Sequence, residues 1–317
     1  MRRERFTVIH THTPKGGLLG QYAALAARVP IRVHTIHGLY LPEHAGPRMR
    51  RLFIWLERVT MAFSHHNFSQ NPEDVPFAIR EGICAAERIE LIRNGIDIDE
   101  FDPERFSAAR REAIRESLGL SRSDVVVGIV ARLVREKGYV ELLEAARLLR
   151  QRAPHLRFVC VGPSDAQKSD ALSASSAKER GVDDIVHFVG HRTDVADLYS
   201  IMDVFALPSY REGFPRAPME AAAMGVPAVV TDIRGCRETV EHDRTGYLVP
   251  VRDVRALADA ILDLVDDPAK RARFGMAARE KALAEFDERK VFERILARYE
   301  SLLRPGYSAG VGAEASR

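Results

Sequence analysis

The sequence has little of several features that would indicate a class of protein at once. Of its 317 residues only three are cysteine and one is tryptophan, and 47 Lys and Arg nearly balance 45 Asp and Glu. The formal net charge of +2 gives no reason to expect nucleic acid as a partner. No apolar run approaches the roughly 18 residues of a membrane-spanning helix, so none is expected.

The three cysteines indicate neither a disulfide framework nor a metal site. Cys84, Cys160 and Cys236 are far apart, and each lies among apolar or small residues. This pattern is typical of reduced thiols inside the cell. The basic start of the chain is followed by only a short apolar run, so we expect no signal peptide and a cytoplasmic protein.

What is present is a regular alternation of apolar runs and amphipathic helices. The chain exceeds the usual domain size of roughly 100 to 200 residues, so two domains are expected. The alternation from about residue 125 predicts an α/β domain with a doubly wound parallel sheet. Its predicted strands are 125–131, 156–161, 185–189, 204–207, 228–231 and 247–249.

Residues 1–115 predict a second Rossmann-like α/β domain. Its candidate strands are 6–10, 32–36, 66–69 and 89–92. An open doubly wound sheet normally has five strands or more, so this domain is expected to lack its initial strands. The turn-rich stretch 94–103 predicts the linker, residues 116–290 the second domain, and residues 291–317 a helix, returning to the first domain, with a tail.

Two charged segments in the second half follow strands and lead into helices. Residues 209–220, Ser-Tyr-Arg-Glu-Gly-Phe-Pro-Arg-Ala-Pro-Met-Glu, place Glu212 in a loop and Glu220 in the first turns of a helix. The segment after strand 125–131 places Arg132 and Lys137 at the same sheet edge, where ligands of α/β proteins bind. Cations beside a helix N-terminus suit a diphosphate. The alternative is that all four are ordinary solvated side chains.

Five motifs in order carry a resemblance. They are 131–138, Ala-Arg-Leu-Val-Arg-Glu-Lys-Gly; 188–191, Phe-Val-Gly-His; 206–215, Ala-Leu-Pro-Ser-Tyr-Arg-Glu-Gly-Phe-Pro; 219–229, Met-Glu-Ala-Ala-Ala-Met-Gly-Val-Pro-Ala-Val; and 244–249, Arg-Thr-Gly-Tyr-Leu-Val. With them, residues 125–250 closely resemble the donor domain of family 4 retaining glycosyltransferases (glycosyl transferases group 1), which have the two-domain GT-B architecture. The resemblance implies a nucleoside-diphosphate sugar as donor, UDP favoured, and no cofactor.

The same resemblance implies roles for individual residues. Arg132 and Lys137 would bind the donor diphosphate and act as electrostatic catalysts without a metal. Glu220 would bind the ribose hydroxyls. The transferred sugar would contact Glu212 together with the amides of Gly213 and Phe214, and the nucleobase would contact Val189 and His191.

The first domain resembles bacterial members that build capsular, O-antigen or exopolysaccharide units. The matching stretches are residues 10–20 and 34–38, and His37 stands where the family has a histidine over the donor sugar. His12, Lys15 and Asn94 are expected on the acceptor side. An isolated histidine or a simple Asn-Gly turn can also be purely structural. Family members begin with a further strand and a Gly-rich turn, so the chain is expected to be N-terminally short.

Residues 47–58 leave two interpretations open. Met49, Leu52, Phe53, Leu56 and Val59 fit a buried helix stripe, which is the favoured prediction. Three arginines beside Leu52 and Trp55 are also typical of a helix resting on an anionic membrane, as suits a polyprenyl-linked or saccharide acceptor at the inner face of the plasma membrane.

Three functions therefore compete. The first is sugar transfer to such an acceptor. The second is a catalytically inactive nucleotide-sugar-binding remnant or partner subunit, and the third is a sugar-nucleotide epimerase.

Overall fold

The computed structural model describes residues 4–39, 46–164 and 170–304. The chain divides into two compact units, with unit 1 comprising residues 1–94 and 289–317 and unit 2 comprising residues 95–288. The first division falls at the start of the predicted linker. Residues 95–115, which the sequence assigned to the first domain, group with unit 2.

The elements follow one another as strand and helix through most of the chain. The strands are β1 Val8–His12, β2 Ile31–Ile36, β3 His66–Ser69, β4 Ile89–Leu91, β5 Val125–Val130, β6 Leu156–Val161, β7 Val186–Gly190, β8 Val204–Leu207, β9 Ala228–Thr231 and β10 Gly246–Val249. The helices are α1 Pro14–Ala26, α2 Pro47–Ala62, α3 Asp74–Arg80, α4 Ala108–Ser117, α5 Tyr139–Leu149, α6 Ser175–Lys178, α7 Val195–Tyr199, α8 Arg216–Ala223, α9 Cys236–Thr239, α10 Val254–Asp266, α11 Pro268–Glu285 and α12 Glu288–Leu303.

Unit 1 is built on a parallel sheet of order β1-β2-β3-β4. Among the described residues, the strands of this sheet lie side by side in the order in which they occur in the sequence. Its core joins the sheet to the last helix, since Val33, Phe68 and Ile92 cluster with Leu302 of α12. Helix α12 thus contributes to the core of unit 1, and the predicted tail at 306–317 lies outside the described residues.

Unit 2 is a six-stranded parallel sheet of order β10-β9-β8-β5-β6-β7. The chain moves outward from β5 through β6 and β7, and then from β8 in the opposite direction through β9 and β10. This reversal is the predicted doubly wound pattern. The reversal falls between β5 and β8, and ligands of such sheets usually bind beyond the carboxyl ends of the strands at this point.

Helix α1 starts at Pro14 and contains three glycines. Glycines oppose helix formation, but here they allow the helix to lie against the sheet. A Cβ atom on Gly17 would lie 2.4 Å from the ring of His34, and one on Gly20 would lie 2.6 Å from the methyl group of Thr11. Close packing between helix and strand therefore requires these glycines.

Helix α2 does not bury the predicted stripe. Met49 is 49% exposed and Leu52 is 48% exposed, while the buried residues are Ile54, Glu57, Thr60 and Met61. The buried positions also follow helical spacing. Their face contains a glutamate and a threonine, which concealed it in the sequence.

Among the described residues, no helix is both long enough and apolar enough to span a membrane.

Candidate functional site

The loops after β5 and β8 meet at the switch point of unit 2 and bring two predicted residues together. The Nζ atom of Lys137 donates a hydrogen bond to Oε1 of Glu212 at 2.6 Å. Their side chains are only 18% and 10% exposed. The same carboxylate oxygen accepts a hydrogen bond from Oγ of Ser209 at 2.8 Å. A largely buried ion pair therefore lies where a ligand would bind.

Glycine makes this meeting of loops possible. Gly138 ends a 3-10 turn over Arg135–Lys137 with φ 75° and starts α5. A Cβ atom there would lie 2.0 Å from the carbonyl oxygen of Pro208, at the end of β8. Neither the left-handed backbone nor the contact suits a larger residue. Lys137 is thereby fixed beside the loop that carries Glu212.

Glu220 lies in α8, and its side chain is 14% exposed. The hydroxyl of Tyr199 donates to its Oε2 at 3.0 Å, and Nε of Arg216 lies 3.7 Å from its Oε1. Burial raises the pKa of the Glu220 carboxyl, while the hydrogen bond from Tyr199 and the charge of Arg216 lower it. Helix α8 begins after Pro215 without a side-chain cap, so the backbone N–H groups of its first turn receive no hydrogen bond from a capping side chain.

The remaining predicted residues of unit 2 lie around this centre. Arg132 is exposed on the loop after β5, and Gly213 and Phe214 precede α8. Val189 and His191 lie at the carboxyl end of β7, two strands away from β5 in the sheet.

Sequence reasoning missed the groups that hold the two carboxylates in place. Ser209 could have been found, because it precedes Glu212 by three residues in the same loop. Tyr199 belongs to α7 and is far from Glu220 in the sequence, so the sequence gives no indication that the two side chains meet.

Unit 1 carries a second polar arrangement at the carboxyl edge of its sheet. His12 ends β1, His37 follows β2, Gln70 follows β3 and Asn94 lies shortly after β4. Nδ1 of His12 lies 3.0 Å from Nε2 of His37, and Nδ1 of His37 lies 2.8 Å from Oε1 of Gln70. Nε2 of Gln70 donates to Oδ1 of Asn94 at 3.3 Å. Three predicted residues thus join through a glutamine that the sequence did not single out.

The half-buried His10 and the buried His34 lie beneath this edge. The ring of His10 stacks on that of His12 with centroids 4.4 Å apart, and its nitrogens bond to Tyr299 and Thr35. Burial lowers the pKa of His10 to about 3 and that of His34 to about 4. Burial and the neighbouring His37 lower the pKa of His12 as well. The rings of His10 and His34 are therefore neutral around pH 7.

Lys15 lies in the first turn of α1 with an exposed side chain. The described residues contain no group of three or more His, Cys, Asp or Glu side chains that could hold a metal ion. The histidines instead bond to one another and to their polar neighbours.

Family models match both units. The model for glycosyl transferases group 1 matches residues 110–281, and that for glycosyltransferase family 4 matches residues 1–100. The chain belongs to the group 1, family 4 glycosyltransferases.

Two similar relatives act on lipid-linked sugars by name. UDP-Gal:alpha-D-GlcNAc-diphosphoundecaprenol alpha-1,3-galactosyltransferase of Escherichia coli is 30% identical over 84% of this chain and 68% of its own length. N,N'-diacetylbacillosaminyl-diphospho-undecaprenol alpha-1,3-N-acetylgalactosaminyltransferase of Campylobacter jejuni is 28% identical over 93% of this chain and 77% of its own length.

Solved structures agree with the predicted fold. Anabaena Alr3699/HepE in complex with UDP and glucose is 27% identical with a TM-score of 0.82, covering 93% of this chain and 78% of that chain. WaaG, a glycosyltransferase involved in lipopolysaccharide biosynthesis, is 18% identical with a TM-score of 0.69 over 83% of this chain and 76% of that chain, a likeness in fold. The GT-B prediction is confirmed.

Proposed function

We propose that the chain is a retaining, metal-independent glycosyltransferase that moves a sugar from a UDP-sugar to a lipid-linked or saccharide acceptor in bacterial surface polysaccharide synthesis. The observation that carries this proposal is the buried Lys137–Glu212 pair at the switch point of unit 2, beside the open N-terminus of α8. The UDP and glucose in the Anabaena structure and the lipid-linked acceptors in the names of the two relatives support it.

In this proposal the positive charge of unit 2 stabilises the leaving diphosphate. Lys137 and Arg132 follow β5, and the N–H groups of α8 lie across the switch point. Negative charge grows on the diphosphate as its bond to the sugar breaks, so fixed cations and amides lower the barrier more than they strengthen substrate binding. The diphosphate oxygen takes the proton of the attacking acceptor hydroxyl on the same face of the sugar, which retains the anomeric configuration.

Glu220 and Glu212 have separate roles in this scheme. Glu220 is held by Tyr199 in a largely buried position and would accept hydrogen bonds from the two ribose hydroxyls. Glu212 is oriented by Ser209 and Lys137 and would accept a hydroxyl of the transferred sugar, together with the N–H groups of Gly213 and Phe214.

Nucleotide binding tests the donor site directly. We expect calorimetric titration to show binding of UDP in preference to GDP and ADP. Glu220→Ala should weaken UDP binding by about 10- to 100-fold, because two hydrogen bonds to a carboxylate are lost. Glu116→Ala changes an exposed glutamate of α4 in the same unit and should leave the affinity unchanged.

Equal UDP affinity of the Glu220→Ala variant and the wild type would contradict the assigned ribose contact. The competing functions separate in a second measurement with UDP-sugars and polyprenyl-diphosphate-linked N-acetylglucosamine. A transferase releases UDP only when this acceptor is added. An inactive binding protein releases none, and an epimerase isomerises the donor without acceptor.

The α1–α2 face is the part of unit 1 that would rest on an anionic membrane. Helices α1 and α2 lie side by side, and both carry exposed apolar side chains. The α1–α2 face is defined by the exposed apolar residues Leu19, Tyr22, Met49, Leu52 and Trp55 and by the exposed basic residues Arg48, Arg50 and Arg51, of which Arg50 is paired with Glu81. Apolar side chains enter the interfacial region while the arginines face acidic headgroups.

Trp55, the single tryptophan of the chain, is 56% exposed and reports on this contact. Its emission should shift to shorter wavelength with vesicles containing phosphatidylglycerol, but not with vesicles of phosphatidylcholine alone. Raising the salt concentration should weaken the shift, since the charges are exposed. Leu52→Glu should reduce it strongly, whereas Met276→Glu, which alters an exposed side chain of unit 2, should not. An unshifted spectrum with anionic vesicles would exclude this face as the contact.

A further inference from the structure

We propose that Asn94, Gln70, His37 and His12 form a hydrogen-bond chain of fixed direction that leaves Nε2 of His12 as the acceptor for a hydroxyl group of the sugar acceptor. In this chain His37 and Gln70 are positioning residues. The identity of the hydroxyl rests on the proposed function, whereas the direction of the chain rests on unit 1 alone.

The direction begins at the amide group of Gln70. Its Nε2 donates to Oδ1 of Asn94 at 3.3 Å, so its Oε1 faces Nδ1 of His37 at 2.8 Å. A carbonyl oxygen can only accept. The Nδ1 atom of His37 must therefore carry a proton and donate it to Gln70.

The next step is the contact between the two imidazoles. A neutral imidazole has one N–H group, so His37 with its proton on Nδ1 has a bare lone pair on Nε2. This atom lies 3.0 Å from Nδ1 of His12. If both rings were fully protonated, two N–H groups would point at each other across this distance. The arrangement is satisfied when His12 carries its proton on Nδ1 and donates it to His37.

His12 is then the open end of the chain. Its ring is exposed at the end of β1, it is backed by the stacked ring of His10, and its Nε2 has no hydrogen-bond partner among the described residues. A bare lone pair attracts a hydroxyl hydrogen and repels an anion. A phosphate of the acceptor would instead be drawn to Lys15 in the first turn of α1.

The same geometry changes the role expected for His37. The sequence resemblance implied that His37 lies over the donor sugar. In the structure both of its ring nitrogens are engaged, one by His12 and one by Gln70. Its imidazole can therefore orient His12, while it has no nitrogen left to meet a ligand.

Histidine tautomers in the full-length protein test the chain without any substrate. Nitrogen-15 NMR of histidine-labelled protein at pH 7.5 should show His12 and His37 both protonated on Nδ1. Gln70→Glu is nearly isosteric and places a carboxylate beside Nδ1 of His37, which favours the doubly protonated ring. Nε2–H of His37 would then donate to His12, and His12 should change to the Nε2–H tautomer. Gln151→Glu, on the surface of unit 2, is the matched control.

Kinetics provide a second readout, with polyprenyl-diphosphate-linked N-acetylglucosamine as the acceptor probe. Gln70→Glu should raise the KM for this acceptor by about tenfold or more, because a donor would replace the acceptor atom at His12, and should leave UDP affinity unchanged. His12 on the Nε2–H tautomer in the wild type, or a tautomer unaffected by Gln70→Glu, would overturn the proposal. The predicted tautomers in a protein that transfers no sugar would instead refute only the proposed function.

Discussion

Replacing Lys137 with alanine is expected to lower sugar-transfer turnover by about 100- to 1000-fold, the range seen when one preorganised electrostatic group is removed from an active site. The lysine amine is fixed 2.6 Å from Glu212, on a turn whose geometry depends on Gly138. A fixed cation needs no reorganisation when charge develops on the diphosphate.

The same substitution also affects stability, and the two effects can be separated. Lys137→Ala leaves the carboxylate of Glu212, which is only 10% exposed, without its cation. This should lower the free energy of unfolding by about 2–3 kcal/mol, somewhat less than the roughly 3–5 kcal/mol lost from a fully buried pair, because both side chains keep some solvent contact. Adding Glu212→Gln removes the unpaired charge and should restore most of the stability.

The double variant Lys137→Ala/Glu212→Gln therefore tests whether Lys137 serves only to neutralise Glu212. We expect chemical denaturation to show recovery of stability, while UDP release in the presence of acceptor stays low. If turnover recovered together with stability, Lys137 would serve only to neutralise Glu212, and its role at the diphosphate would be wrong.

Mild acid is expected to unfold unit 1 before unit 2. Burial lowers the pKa of His10 to about 3 and those of His34, His65 and His66 to about 4. Below pH 6.5 the unfolded chain takes up protons at these sites and the folded unit does not. Each group therefore lowers the free energy of unfolding by about 1.4 kcal/mol for every unit by which the pH is lowered. This loss continues down to about pH 4 at three of the four sites. Glu57 has the opposite effect on stability. Burial raises its pKa to about 7, so the folded unit takes up a proton there at a higher pH than the unfolded chain does.

The four histidines outweigh the one glutamate, and the lowered pKa of His12 adds to their effect, so the net loss reaches several kcal/mol by about pH 5, a large part of the stability of a typical domain. In unit 2 burial lowers the pKa of His187 and raises that of Glu220, and these two contributions oppose each other under acid. The lowered pKa values of Asp194, Glu241 and Asp263 reduce the stability of unit 2 mainly at more acid pH, because carboxyl groups of the unfolded chain take up protons only near pH 4. Unit 1 should therefore respond first.

Hydrogen exchange followed by mass spectrometry measures the two units separately. Between pH 7 and 4.5, and after correction for the intrinsic exchange rate, peptides of unit 1 should lose protection before peptides of unit 2. His65→Asn keeps an acceptor for the N–H of Arg32, which His65 now binds at 3.0 Å, and removes one titrating ring. It should lower the pH at which protection is lost. His155→Asn alters an exposed histidine of unit 2 and should not. Simultaneous loss in both units would contradict the histidine explanation.

The strands of unit 2 could be predicted closely because they are short apolar runs buried on both faces. Strands 156–161, 204–207 and 228–231 were predicted with the observed bounds. Strand β1 was placed two residues too early, because Phe6 and Thr7 resemble strand residues as much as Thr11 and His12 do. Propensity determines that a strand exists, and pairing with β2 determines where it begins.

The candidate site was predictable only in part. Lys137 and Glu212 could be expected together, because both follow strands that end at one switch point. The hydrogen bonds of Gln70 with His37 and Asn94 could not be predicted. A polar residue after a strand has many possible partners, and the positions of the neighbouring strands determine which of them it contacts. The exposed face of α2 was mispredicted for a related reason, since Glu57 and Thr60 hid the face that packs inward.

Helix α12 has a consequence for the order in which the protein is made. All of unit 2 lies between the two segments of unit 1, and α12 contributes Leu302 to the core of unit 1, Arg298 to an ion pair with Glu90, and Tyr299 to the contact with His10. Domains generally fold as units during synthesis. As the chain leaves the ribosome, unit 2 has its whole sequence first, while unit 1 was begun earlier and waits for the last helix. His10 of unit 1 thus receives its partner Tyr299 only after all of unit 2 has been synthesised.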